Sequence, residues 1–483
     1  MKDKKIYFIT GSQHLYGDEA LKQVAKNGRE IAEFLNKQKE NPVTIVFWGT
    51  VKTPAEITGA VIAAESDADC VGIIAWMHTF SPAKMWIDGL KRLSKPLLHL
   101  HTQYNEAIPY GSIDMDFMNL NQSAHGDREF GHIFSRLKIS RKVVAGYYKD
   151  KETLKAVYDW CKAAAAVDFS KNLKVIRLGD NMRGVAVTEG DKVEAQIKFG
   201  WTVDANGLGD LAELIDKVTE KEIKEKLSEY KARYDYDKKD IEAVTEQAKQ
   251  EIAIRKLADS AGAKAITTNF ENLSGLKQLP GLAVQNIMAN GFGFGAEGDW
   301  KTAALTAVLK YISHGGTSFM EDYTYNLEKG KELVLGAHML EICPSISKGK
   351  PQIIVKPLGI GGKEPPARIV FDAKPGKAVN VSLIDLGNRF RMIVSIVDIT
   401  EGENMPNLPV AQVLWKPRPS LKTAAEAWIY AGGAHHTVLS TAVSAEQLSD
   451  FCDIIGIEML LIDEKTDINE FKYKLKISDA IWS

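Results

Sequence analysis

Four residues in glycine-rich surroundings carry the chemistry most legible in this chain. Glu297 lies in Gly-Phe-Gly-Ala-Glu-Gly-Asp-Trp (residues 293–300), and Glu321 in Gly-Gly-Thr-Ser-Phe-Met-Glu-Asp-Tyr (315–323). His338 lies in Leu-Gly-Ala-His-Met-Leu-Glu, and His436 closes Ala-Gly-Gly-Ala-His-His. Two carboxylates and two imidazoles make a mixed oxygen and nitrogen donor set. That set suits Mn²⁺, or a similar divalent ion, with positions left open for a substrate. A helix expected over Lys301–Ser313 separates the two glutamates, and the glycine loops at its ends can return both carboxylates to one place. The competing reading is a helix cap plus a surface acid, and it weighs most on Asp299, just before the helix. Histidines are also often half-buried and satisfied, and spacing alone does not bring four residues together. His435 is expected to point away, because adjacent residues do not easily share one ligand direction.

A second cluster runs through Asp114, Asp116, Asn119, Asn121, Gln122, His125, Asp127 and Arg128, near an expected helix start. So many hydrogen-bonding groups suit a polyhydroxylated ligand, or equally an elaborate cap and domain-interface network. Two glycine motifs are decoys. Gly291-Phe-Gly-Phe-Gly-Ala fits the loose dinucleotide pattern, but Leu282–Ala289 before it reads as helix where a strand is required. Gly359-Ile-Gly-Gly-Lys lacks the spacing and the Ser/Thr of a phosphate loop and reads as a tight turn.

These residues need elements to hold them. At 483 residues the chain exceeds what one core usually serves, so two or three domains are expected. A net charge of −2 argues against a dedicated nucleic-acid binder. No apolar run approaches membrane-spanning length, and no signal-like segment opens the chain. Four scattered cysteines without Cys-x-x-Cys spacing fit a reduced, cytoplasmic setting.

Apolar, β-branched runs at Ile6–Thr10, Val43–Trp48, Val71–Trp76, Pro96–His101 and Val143–Tyr147 alternate with helical stretches at Asp18–Gln38, Ala55–Glu65 and Pro82–Leu93. That alternation predicts βαβ units around a parallel sheet, with ligand loops such as residues 11–17 at the carboxyl ends of the strands. A second α/β segment begins near Leu173, with strands expected at Glu194–Phe199 and Ala265–Thr268. Between them the Lys/Glu-rich stretch 210–261 reads as a solvated pair of helices. From Gly315 the pattern turns β-rich, at Glu332–His338, Gln352–Pro357, Ala367–Phe371, Ala378–Asp385 and Arg389–Asp398. Hairpin signals lie at Ala373-Lys-Pro-Gly-Lys and Leu386-Gly-Asn. Helical periodicity returns at Ala424–Ala431 and Ala445–Ile455. The expected fold is α/β: two Rossmann-like parallel-sheet domains, 1–173 and 174–316, followed by a β-rich, barrel-like domain with helices, 317–483.

At several of these motifs the chain resembles the L-arabinose isomerases. Gly11-Ser-Gln-His-Leu-Tyr-Gly, Trp76-Met-His-Thr-Phe-Ser-Pro-Ala-Lys-Met-Trp and Asp114-Met-Asp-Phe-Met-Asn-Leu-Asn-Gln are similar to that family's signatures. So are Gly179-Asp-Asn-Met-Arg, Leu276–Gln285, Glu297–Ala304, Gly315–Tyr325 and Ala431–His436, in collinear order. The resemblance implies interconversion of L-arabinose and L-ribulose, with slower action on D-galactose to give D-tagatose. It implies one Mn²⁺ per subunit, with Co²⁺ as a possible substitute, on Glu297, Glu321, His338 and His436. Sugar contacts would come from Gln13, Leu15, Tyr16, Met182, Phe270 and Ile360 and, from a neighbouring subunit, Gln122 and His125. A homo-oligomer, usually a hexamer, with sites at its subunit interfaces is implied as well.

The expected reaction moves hydrogen between C2 and C1 through an enediol, with Glu297 and Glu321 as acid and base. Two alternatives stand beside it: a non-catalytic sugar-binding or regulatory protein, which would not need the Glu/Glu/His/His set, and a related isomerase such as one for fucose.

Overall fold

The structure, a computed structural model, describes residues 1–482. The chain forms two compact units, one of residues 1–168 with 446–455 and the other of 169–445 with the chain from 456 onward.

In the first unit, β1 (Lys5–Gly11), β2 (Thr44–Val51), β3 (Cys70–Met77), β4 (Leu97–His101) and β5 (Lys142–Ala145) form a parallel sheet in the order β2-β1-β3-β4-β5. β3 is buried along its whole length, which explains its unbroken apolar run. The helix Gly17–Lys37 buries Val24, Asn27, Gly28, Ile31, Ala32 and Leu35, one stripe at helical spacing, with Asp18 and Glu19 at its start and Lys37 at its end favouring the helix dipole. The stretch expected as one helix over Pro82–Leu93 is instead a 3₁₀ turn at Ala83–Trp86 followed by a single turn at Ile87–Leu90.

The second unit opens with another parallel sheet. Its strands β6 (Lys174–Leu178), β7 (Thr202–Asn206), β8 (Ala265–Thr268) and β9 (Gly293–Gly295) lie in the order β7-β6-β8-β9. Glu194–Phe199, expected as a strand, belongs to the helix Lys192–Phe199. Asp191 caps that helix by accepting from Val193 N (2.8 Å) and Glu194 N (2.9 Å), and Gly200 ends it in a left-handed conformation. The cap outranks the weak alternation of the segment.

The charged stretch after β7 corrects a second expectation. It forms three helices rather than two, Leu208–Asp216, Glu220–Arg233 and Ile241–Ala261, and it is not simply solvated. Thr219 and Glu222 form a capping box on the second helix. Glu251 of the third is fully buried and accepts from Tyr230, Lys226, Arg255 and Asn286.

β10 (Thr317–Asn326), β11 (Leu333–Ala337), β14 (Gly376–Asp385), β15 (Phe390–Ile399), β16 (Val413–Pro417) and β17 (His436–Ser440) close into a six-stranded antiparallel barrel. Its circular order is β10-β11-β16-β15-β14-β17. Around it, β12 (Gln352–Val355) pairs with β13 (Ala367–Val370), and β18 (Glu458–Ile462) adds to β15 in parallel. Leu386-Gly-Asn joins β14 to β15 as a hairpin. Ala373-Lys-Pro-Gly-Lys does not make the expected hairpin, because β13 pairs with β12 while β14 pairs with β15 and β17. The segment carries the chain from one sheet to another. Met320, Val334, Val397, Val413, Trp415 and Leu439 share one buried cluster on the barrel strands. The fold is therefore two parallel-sheet α/β layers followed by a β-barrel, the class expected from the sequence.

One buried group makes the first unit sensitive to acid. His78, just beyond β3, stacks on Trp76 with centroids 4.5 Å apart and accepts from Asn27 Nδ2 at 2.8 Å. Burial pushes its pKa down from the ordinary 6.5 to about 4. Between those values the unfolded chain holds the extra proton, so stability is full above pH 6.5 and falls as the pH drops towards 4. The total loss is roughly 3 kcal/mol. Denaturant unfolding at several pH values should show this slope in the protein and a flatter one in His78→Phe. Parallel slopes would rule out His78 as the titrating group.

Candidate metal centre

Glu297 sits in the loop between β9 and the helix Trp300–Ser313, with φ at +58°. The next residue, Gly298, also has positive φ, and a Cβ there would lie 2.5 Å from Asn181 Cα and 2.6 Å from the Asp180 carbonyl. Only glycine allows this approach, which lets Met182 N donate to the Glu297 carbonyl at 2.9 Å. Asp299 caps the helix, accepting from Thr302 N at 3.1 Å and Thr302 Oγ1 at 2.7 Å.

The other three residues are brought together by barrel register. On β10, Glu321 pairs with Ala337 of β11 on one side and with His436 of β17 on the other. Directly opposed residues project from the same face of an antiparallel pair, so Glu321 and His436 become neighbours. His338 follows Ala337 immediately.

The donor atoms of the four expected ligands lie in two close pairs. Glu297 Oε2 lies 3.7 Å from both His436 Nε2 and His435 Nε2, and Glu321 Oε2 lies 3.7 Å from His338 Nε2. These gaps are too long for hydrogen bonds. They fall within the span of about 4.2 Å that two metal–ligand bonds of about 2.1 Å can bridge. Ligand atoms of Glu297, His435 and His436 all lie within 4.8 Å of one another. His435 therefore faces the cluster, contrary to the expectation that it points away. The chain bends at residues 431–435 before β17 begins, so two adjacent residues do share one direction there.

Each buried imidazole is oriented from behind by a carboxylate. His338 Nδ1 donates to Glu341 Oε2 at 2.5 Å, and His436 Nδ1 to Asp299 Oδ2 at 3.2 Å. Both Nε2 atoms are thereby turned to the front, and His436 Nε2 is buried without a partner. An orphaned ring nitrogen, an oriented tautomer and facing carboxylates fit a divalent cation. Phe319 meets both rings edge-on, with centroids 5.0 Å and 5.2 Å away, and Phe270 stacks on His338 at 6.0 Å.

The electrostatics favour a positive guest. The neighbouring His435 ring holds the Glu297 carboxyl below its ordinary pKa against the effect of burial, with His436 and His338 adding to it. Burial opposes ionisation of Asp299, yet the Lys301 ammonium and His436 keep its pKa well below the ordinary value. Burial likewise opposes a charged His338, but Glu341, then Glu321 and Glu297, outweigh it and raise the pKa of the ring.

The remaining expected residues are distributed as follows. Gln13, Leu15 and Tyr16 follow β1. Gln122 and His125 lie at the start of the helix Ser123–Leu137, and Tyr16 Oη donates to Gln122 Oε1 at 3.1 Å within the same chain. Leu15 is 82% exposed. Ile360 stands on the turn between β12 and β13, where Gly361 and Gly362 both have positive φ. Sequence reasoning missed the parts of His435, Glu341 and Asp299. Glu341, three residues after His338, was the detectable one.

Comparison with known proteins shows the family. The profile of the L-arabinose isomerase N-terminal domain matches residues 1–172, that of the central domain residues 174–315, and that of the C-terminal domain residues 316–458. The chain belongs to the L-arabinose isomerase family. It is 57% identical to the L-arabinose isomerase of Halalkalibacterium halodurans, over 99% of this chain and 98% of the relative. It is 56% identical to that of Clostridium beijerinckii and 55% to that of Geobacillus stearothermophilus, in each case over 100% of this chain and 99% of the relative. This member of the family is an isomerase.

The carboxylates behind the imidazoles should control cation affinity. Calorimetric titration of chelator-stripped protein with Mn²⁺ as the probe should show binding weakened about 10- to 100-fold in Glu341→Gln and Asp299→Asn. Unchanged affinity in a folded variant would mean that the carboxylate does not orient its ring for the cation.

Proposed function

We propose that this aldose–ketose isomerase interconverts L-arabinose and L-ribulose and acts more slowly on D-galactose to give D-tagatose. The observation that supports the reading is the close pairing of Glu297 with His436 and of Glu321 with His338, together with the register that sets Glu321 opposite His436. These four are the proposed ligands of one Mn²⁺ per subunit, for which Co²⁺ can substitute. When bound, the ion supplies a Lewis acid for the charge that develops on the sugar oxygens.

The residues themselves carry the protons. One of Glu297 and Glu321 takes the C2 proton and returns it at C1, while the other exchanges the hydroxyl protons, by way of an enediol. Glu297 is half-buried and held anionic, with the His435 ring beside it. A carboxylate stabilised in this way is a weak base, so a carboxyl oxygen left free of other donors must do the abstraction. Gln13, Leu15, Tyr16, Met182, Phe270 and Ile360 line the sugar, with Gln122 and His125 arriving from a neighbouring subunit of a homohexamer. The exposure of Leu15 and His125 supports completion of the site by a second copy. A cytoplasmic location accompanies this reading; no helix among the described residues is long and apolar enough to cross a membrane.

Ketose formation from L-arabinose by chelator-stripped protein, with and without added Mn²⁺, tests the assignment, and product is expected only with the ion. Glu297→Gln and Glu321→Gln should each lower kcat at least about a hundredfold. Near-normal turnover removes that residue from the chemistry. Substrate deuterated at C2 separates the routes: complete retention of label at C1, with no exchange with solvent, speaks for a hydride shift and against the enediol.

A further inference from the structure

A buried carboxylate in the first unit has no part in the chemistry above. Asp127 is 3% exposed and lies on the inner face of the helix Ser123–Leu137. Its Oδ1 accepts from Met77 N at 3.2 Å and His99 Nε2 at 2.8 Å, and its Oδ2 accepts from His101 Nδ1 at 2.8 Å. The donors come from two adjacent strands, Met77 and His101 at the carboxyl ends of β3 and β4 and His99 midway along β4.

Holding a helix on a sheet needs only an apolar side chain. A buried charge is costly unless it is fully paired, and it adds what burial alone lacks, namely direction. Three fixed donors set both the height and the rotation of the first helical turn.

The preceding residue adds an independent constraint. Gly126 packs so closely on the loop after β3 that a Cβ there would stand 2.7 Å from the Thr79 carbonyl oxygen. Glycine within a helix is less favourable than alanine, and here it permits the close approach. The same turn is tied at its start, where Gln122 N donates to the His78 carbonyl at 2.9 Å and His125 stacks on Phe80 at 5.2 Å.

We propose that Asp127 and Gly126 are positioning residues, seating the first turn of this helix so that Gln122 and His125 meet the sugar. The inference rests on the sugar-contact role proposed for those two residues. Asp127 touches no substrate itself and acts through the placement of the turn.

The test uses the Mn²⁺-loaded enzyme with L-arabinose, assayed well below the melting temperature of each variant. Asp127→Asn and Gly126→Ala should raise KM at least about fivefold, with kcat within about twofold of the parent and Mn²⁺ affinity unchanged. A purely structural role would lower Tm and leave KM where it was, and that result overturns the proposal. His101→Leu removes one donor of the three and should shift KM in the same direction by less. It carries the test should Asp127→Asn fail to fold, and an unchanged KM then counts against the proposal. Gln122→Ala separates the two levels of the argument. If it leaves KM unchanged, the sugar-contact role fails. If it raises KM while Asp127→Asn and Gly126→Ala do not, only the positioning role fails.

Discussion

Antiparallel pairing of β10 with β11 and β17 is the constraint on which the candidate metal centre depends. Side chains alternate between faces along a strand, so a slip of one residue would turn Glu321 away and present Met320 or Asp322 instead. Two neighbours hold the register at once, since Glu321 is opposed by Ala337 and by His436. Closure through β14 and β15 leaves none of the six strands with a free edge along which to slide. The apolar cluster of Met320, Val334, Trp415 and Leu439 penalises any slip, because the same shift that turned Glu321 away would take Met320 out of the core.

On this frame several carboxylates are held close together. Glu297, Glu321, Asp299 and Glu341 gather where Lys301 and the buried Arg368 are the nearby fixed cations. Burying that many carboxylates is costly unless each is paired. Asp299 and Glu341 meet the demand by orienting imidazoles and by capping or turning the backbone. Glu297 and Glu321 retain oxygens facing ring nitrogens at 3.7 Å, a separation that a cation closes and a hydrogen bond does not.

In the first unit the chemistry follows from topology. In a parallel sheet ordered β2-β1-β3-β4-β5, every strand delivers its carboxyl end to the same edge. Gln13 and Tyr16 after β1, the loop after β3, and the helix bearing Gln122 and His125 therefore collect there, although more than a hundred positions separate Tyr16 from Gln122. The same edge explains why two adjacent strands can both donate to Asp127.

Much of this was legible in the sequence. Apolar, β-branched runs identified β1 through β5, and strand-like runs on either side of the Leu386-Gly-Asn turn identified β14 and β15, because local composition and turn residues record such elements directly. The four ligand candidates were visible as donor types beside glycine loops. The helix at Lys192–Phe199 was misread although Asp191 and Gly200 marked both its ends. The 210–261 stretch was misread because its buried polar partners, such as Glu251 with Tyr230 and Asn286, look like surface residues in a composition. What the sequence by itself determined is what local interactions encode: the elements, their order, the class of fold and the donor chemistry available. Only the tertiary structure decided that His435 turns inward, that Asp299 reaches His436 and that three barrel strands make neighbours of Glu321, His338 and His436. Those outcomes depend on strand register and on packing summed over residues far apart in the chain, and no local pattern records that sum.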